Sequence, residues 1–209
     1  MEQAAKSSKK KMTFTEFLRV RFKGVLDAVG GFLNRSGLYP NTVTLLGLLG
    51  NTVGAYLLAT GHITAGGIMV LLMGPIDALD GTMARLRGEA SAFGGFVDSV
   101  TDRYSELIIL GGLMVYYLNL QDWQACGLVY LAASGSVLVS YVKSRAETLG
   151  FDAHIGLLTR VERFLVLAPM LVINYPKIAL WIIAVLANFT AVQRIWYVRQ
   201  QAREQLKSE

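Results

Sequence analysis

Apolar residues in this 209-residue chain come in long blocks divided by short polar breaks. "NTVTLLGLLGNTVGAYLLAT" runs from Asn41 to Thr60 without a charge. "LIILGGLMVYYLNL", "ACGLVYLAASGSVLVSYV", "FLVLAPMLVINY" and "IALWIIAVLANFTAV" follow. A bilayer core about 30 Å thick needs about 20 such residues at 1.5 Å each. With their flanks, the blocks reach that length. The pattern predicts six spans, at 41–60, 63–86, 93–118, 123–148, 158–174 and 177–197. Upstream, Phe14, Phe17, Leu18, Phe22, Val25 and Leu26 recur at helical spacing between Arg19, Arg21 and Lys23. That spacing suits an amphipathic helix lying on a membrane surface, or one packed on protein. "SGLYPNT" breaks it, and Asn41 or Thr42 is expected to cap the next helix. The fold class read from the pattern is therefore an all-α membrane protein, six transmembrane helices preceded by an N-terminal amphipathic interfacial helix. The expected division is a basic flexible tail at 1–12, the interfacial helix at 13–38, the six-helix transmembrane domain at 39–199 and a C-terminal tail at 200–209.

Composition supports that reading. Charged residues make up 17% and hydrophobic residues 53%, against about 25% charged in soluble domains. The net charge of +5 is explained by topology and does not call for nucleic acid. Of the 20 Lys and Arg, only Lys177 falls with "TGHITAG", "YLNLQD" and "NYPK" on one side, while Arg103 lies inside a span. The rest flank the opposite ends, which puts both termini in the cytoplasm. The basic start lacks the apolar core and cleavage site of a secretory signal. Cys126 is the only cysteine, so there is no disulfide or cysteine metal framework. His62 and His154 are isolated and read as loop or interface residues.

"PIDALDGTMARLRGEASAFGGFVDSVTD" breaks the apolar pattern with Asp77, Asp80, Asp98 and Asp102. An ionisable residue at the centre of a membrane helix costs about 2.5–3.5 kcal/mol on insertion scales. Four facing lipid would cost on the order of 10 kcal/mol, so they are expected to face a cavity or a partner charge. Spacings of three and four residues put each pair on one helical face. A short connection makes the two helices antiparallel neighbours, so the four carboxylates can converge. Divalent metal would relieve their repulsion, and oxygen ligands favour Mg²⁺, Mn²⁺ or Ca²⁺. Gly81, Ala84 and Gly94 leave room on those faces, Gly74-Pro75 would weaken the helix where the site begins, and Arg85 offers a fork for phosphate. Three readings fit the spacing: a salt-bridge network with Arg85, Arg87 and Arg103, a divalent-cation channel or transporter, and a metal-dependent phosphate-transfer site.

Asp77, Asp80, Gly81, Ala84, Arg85, Gly94, Asp98 and Asp102 match D-x2-D-G-x2-A-R-x8-G-x3-D-x3-D at every fixed position. The chain thus resembles the CDP-alcohol phosphotransferase family. The resemblance covers nearly the whole chain and implies transfer of a lipid phosphate from a CDP-alcohol, such as CDP-diacylglycerol, to an acceptor hydroxyl, with release of CMP. It implies that Asp77, Asp80 and Asp98 ligate two divalent ions, Mg²⁺ or Mn²⁺. Asp102 completes the cluster and is the expected general base. Gly81, Ala84 and Arg85 would meet the nucleotide, as would Asn41 and Thr44, for which a helix cap is the other explanation. A homodimer is implied by the resemblance alone.

A second cluster bears on the acceptor. Ser140, Lys143 and Arg145 end the fourth span, Arg160, Glu162 and Arg163 begin the fifth, and Arg194 and Arg199 end the sixth. Cations near such a site point to an acceptor that itself carries phosphate. The bland reading is positive-inside topology with anionic lipid contact. Lys143, Arg160 and Arg194 stand where the inositol-phosphate-using branch of the family binds its acceptor's phosphate, and Ser140 lies one turn before Lys143. "GFDAHIG" and Thr159 depart from that branch's pattern. Inositol phosphate is the expected acceptor, with glycerol 3-phosphate the alternative.

Overall fold

The computed structural model describes residues 14–89 and 91–208, with the side chains at 14–20, 77 and 208 outside the description. The basic tail expected at 1–12 lies outside it too. The described residues form seven helices: α1 Phe14–Arg35, α2 Pro40–Ala59, α3 Ile63–Arg87, α4 Ala92–Asn119, α5 Trp123–Thr148, α6 Arg160–Val172 and α7 Pro176–Ser208. Four of them, α2, α3, α5 and α7, are long and apolar enough to cross a membrane. Helix α4 interrupts its apolar run with Asp98, Asp102, Arg103 and Glu106. Helix α6 has 13 residues, about 20 Å at 1.5 Å each.

The chain reverses at each connection, so one end of the bundle collects the start of α2, the end of α3, the starts of α4 and α6 and the end of α5. This is the charged end. The reversals use backbone positions that suit them: Gly61 and Gly88 take left-handed φ of 87° and 68°. At the opposite end Asp122 accepts from the Ala125 N–H at 3.0 Å and from Lys177 Nζ at 2.8 Å, tying the starts of α5 and α7 together. Those contacts, the Lys177 ammonium first, hold its carboxyl below the ordinary range.

Helix α2 begins at Pro40, not at Asn41 or Thr42. Tyr39 takes the cap position in an extended conformation and no side chain caps the helix. Proline at the first helical position brings a preset φ and no N–H to satisfy. The expected adjacency of α3 and α4 is also corrected. They touch only lightly, because α2 packs extensively against both. Backbone contact makes this possible: a Cβ on Gly112 of α4 would fall on the Ala55 carbonyl of α2. Nor does Gly74-Pro75 interrupt the helix, since α3 runs unbroken through both residues. Gly74 leaves space instead for the Phe164 ring of α6.

The larger core joins α2 to α7 through Leu58, Leu110, Leu113, Val129, Leu171 and Ile183. A smaller one sits at the charged end, where Leu26 and Leu33 of α1 pack on Val43, Leu79 and Met83. Helix α1 thus presents one apolar face to α3. Phe22, Val25, Val29 and Phe32, three and four residues apart, form a second, exposed apolar face.

Candidate active site

The acidic motif occupies the charged end, with Asp77 and Asp80 on α3 and Asp98 and Asp102 on α4. Asp80 is buried. Its Oδ2 accepts from Thr44 Oγ1 at 2.5 Å, and its Oδ1 accepts from the Gly81 N–H at 2.5 Å. Thr44, buried on α2, is therefore neither a cap nor an exposed surface group. It couples α2 to the acidic helix. Asp98 is half-buried on α4, one turn before Asp102. The side chain of Asp77 lies outside the description.

Asp102 is buried and meets Arg160 Nη1 at 2.6 Å, with Arg103 Nη1 farther off at 3.9 Å. The next turn repeats the pattern more tightly. Glu106 accepts from Arg163 Nε at 2.6 Å and Nη2 at 2.8 Å, a fork-to-fork pair, and Arg163 is only 2% exposed. Two ion pairs one turn apart therefore join α4 to α6. Of the arginines expected in a salt-bridge network, Arg103 stands near Asp102, and Arg85 and Arg87 make hydrogen bonds elsewhere. Arg85 Nη2 donates to Thr82 Oγ1 at 2.8 Å, and Arg87 donates to Asn34 Oδ1 and the Leu38 carbonyl at 2.8 and 2.6 Å.

A cleft of about 420 Å³ opens beside Asp80. Its walls are Tyr39, Pro40 and Asn41 before and within α2, Gly81, Ala84 and Arg85 of α3, and Gly94 and Gly95 of α4. Four expected nucleotide contacts, Asn41, Gly81, Ala84 and Arg85, line this one space. Thr44 lies behind it, bonded to Asp80. Space of this size is ordinary for a small-molecule site.

The donors on offer for a metal are carboxylate oxygens, with no sulfur or imidazole beside them. That chemistry fits a hard divalent cation. Among the described residues no three acidic, histidine or cysteine side chains already stand close enough to hold one ion. Asp80 is turned toward Thr44, and Asp102 toward Arg160.

The expected acceptor cations divide in the structure. Lys143 and Arg160 are 40% and 39% exposed, and Lys143 reaches Glu147 at 3.7 Å. Ser140 lies half-buried on α5, one turn before Lys143. Arg194 is 3% exposed, and it donates to the Ile155 and Val139 carbonyls at 2.7 and 2.6 Å. It supports the 149–159 loop from beneath. Asp152 of that loop exchanges two hydrogen bonds with Gln201 of α7.

Four long apolar helices, with carboxylates and guanidinium groups gathered at one end, define an integral membrane protein. The sequence pattern of the CDP-alcohol phosphatidyltransferase family matches residues 37–193, and the chain belongs to that family of transferases. It is 35% identical over 211 residues to phosphatidylinositol phosphate synthase of Streptomyces avermitilis, covering 93% of this chain and 86% of that one. It is similar in structure to the phosphatidylinositol phosphate synthase of Mycobacterium tuberculosis solved with CDP-DAG bound, with TM-score 0.78 and 29% identity over 83% of this chain and 93% of that one. The same mycobacterial enzyme in complex with manganese and citrate gives TM-score 0.77 and 29% identity, over 83% and 88% of the two chains. Membership in a transferase family sets the cation-transporter alternative aside.

Proposed function

We propose that this protein is a phosphatidylinositol-phosphate synthase, moving the phosphatidyl group of CDP-diacylglycerol or a similar CDP-lipid onto inositol phosphate and releasing CMP. The observation that carries the acceptor is the 2.6 Å contact of Arg160 with Asp102. Arg160 is on this reading a phosphate-binding cation of α6 and Asp102 is the base, and their contact supports the two working side by side. On this reading the nucleotide enters the cleft of Asn41, Gly81, Ala84 and Arg85, whose small residues admit it closely. Lys143 and Arg160, with Ser140 beside them, hold the acceptor's phosphate. Arg194 contributes by shaping the loop beneath it. Asp102 takes the proton from the acceptor hydroxyl as its oxygen bonds to the lipid phosphorus and the bond to CMP breaks.

Asp77, Asp80, Asp98 and Asp102 would hold two divalent ions, Mg²⁺ or Mn²⁺. Bound there, the metal supplies charge neutralisation for the diphosphate and for the departing CMP. The manganese complex of the mycobacterial relative supports this.

We further read six spans, with α4 and α6 crossing the membrane inside the bundle, where partner charges absorb their ionisable groups. The exposed face of Phe22, Val25, Val29 and Phe32 supports α1 as an interfacial helix. The lysine and arginine bias supports a cytoplasmic site and cytoplasmic termini in the plasma membrane. A homodimer, carried from the family, is checked by cross-linking in native membranes.

The deciding experiment gives the purified protein radiolabelled CDP-diacylglycerol and Mn²⁺ with inositol phosphate, glycerol 3-phosphate, inositol or serine. A labelled lipid formed with inositol phosphate supports the reading. Product with glycerol 3-phosphate alone would make the protein a phosphatidylglycerophosphate synthase.

A further inference from the structure

We propose that Tyr39, outside the acidic motif, is the aromatic wall on which the pyrimidine of the bound nucleotide stacks. Tyr39 is 64% exposed and lines the same cleft as Gly81 and Ala84. Its ring is held from one side. The Arg87 guanidinium lies over it, 5.0 Å from the centroid, a distance typical of cation–π contact. Arg87 is itself fixed, donating to Asn34 Oδ1 at 2.8 Å and to the Leu38 carbonyl at 2.6 Å. Asn34 in turn donates to the Met83 carbonyl at 3.2 Å. The residue before Tyr39 is thus tied to α3 through Arg87, and the residue after it is Pro40, which restricts its backbone to extended conformations.

An exposed tyrosine whose backbone and one face are immobilised offers its other face at little entropic loss. Stacking on a planar ring is what such a surface does best, and every base has a π-face to offer. The α3 lining of the cleft fits the same ligand, since Gly81 and Ala84 let a flat group approach the helix backbone. Stacking does not discriminate between bases, so Tyr39 contributes affinity for a pyrimidine nucleotide and not the choice of cytosine. The proposal rests on the nucleotide reading of the cleft given above.

The test is calorimetric titration of the full-length protein in nanodiscs with CDP, UDP and inorganic pyrophosphate, each with Mn²⁺ present. Tyr39→Ala is expected to weaken CDP and UDP about tenfold or more, in equal measure, and to leave pyrophosphate unchanged. Tyr39→Phe and Tyr39→Trp should retain wild-type affinity for CDP. Wild-type CDP affinity in Tyr39→Ala overturns the proposal. So does a loss shared equally by pyrophosphate, which would mean that Tyr39 shapes the elbow instead of stacking. If the wild-type protein binds pyrophosphate but not CDP, the nucleotide reading itself falls, and the stacking proposal with it.

Discussion

Glu106→Gln is the perturbation that most directly probes how α6 is held. Glu106 meets both arms of the Arg163 fork, at 2.6 and 2.8 Å, and Arg163 is 2% exposed. The third donor position, Nη1, reaches the Leu158 carbonyl at 3.3 Å. Removing the carboxylate charge leaves a buried guanidinium without its paired counter-charge. Breaking a buried pair from one side costs about 3–5 kcal/mol. For a chain of this size each kcal/mol moves the melting temperature about 2–4 °C, so the expected fall is roughly 6–20 °C. The assay is thermal unfolding of the detergent-solubilised protein followed by circular dichroism. The double variant Glu106→Leu/Arg163→Leu removes both charges and fills the space with apolar volume. It is expected to recover most of the loss, because apolar replacement of a buried pair is often neutral. A fall below about 2 °C for Glu106→Gln would contradict the premise that the Arg163 end of the pair is sealed from solvent. A double variant less stable than Glu106→Gln would show that the charges are jointly stabilising and would refute this expectation.

Four further outcomes are expected. Asp98→Asn should abolish metal-dependent CMP release from CDP-diacylglycerol while leaving the fold intact by circular dichroism. Full turnover would remove Asp98 from the site. Arg160→Ala should raise KM for a phosphorylated acceptor by about tenfold or more, since a charge-assisted contact is worth about 1.5–3 kcal/mol. An unchanged KM removes the case for that pocket. Gly112→Val should drive α2 from α4, and thermal unfolding is expected to register a loss of several kcal/mol, of the order of 3, as for overpacked cores. At the opposite end, Lys177 depresses the Asp122 carboxyl below its ordinary value of 3.8. A depressed acid stabilises the fold fully above its unfolded value and loses that contribution as pH falls through its folded value. Melting curves of wild type and Asp122→Asn should therefore differ at pH 6 and draw together only as pH falls below 3.8.

Much of this architecture can be read from the chain before any coordinate. The apolar blocks delimit α2 to α6 within two residues of the observed ends, because each block is stopped by a glycine, proline or charge that the helix cannot absorb. The acidic motif also reads directly, its spacing being local to two helices. What resists reading is long-range and made by backbone. Nothing in the spacing of Ala55 and Gly112 announces that α2 will lie between α3 and α4, since the contact is a missing Cβ on a carbonyl. Glu106 sits in an apolar stretch with its partner 57 residues away, and only the rule that a membrane carboxylate needs a cation could have flagged it. Arg194 spends its donors on peptide carbonyls, which carry no sequence signature at all. Tyr39 hides in a connection, where its value comes from Arg87 behind it.

Helix α7 has 33 residues, about 50 Å at 1.5 Å each. That exceeds a hydrocarbon core of about 30 Å by several turns. The 149–159 loop is fastened to the surplus through Asp152 and Gln201, and to its base through Arg194. The surplus is the polar stretch after Gln193, with Arg194, Arg199 and Arg203, so it stands clear of the apolar run as a rigid post. The loop that leads into Arg160 is tied to that post at Arg194 and Gln201, so its position follows the helix that carries them.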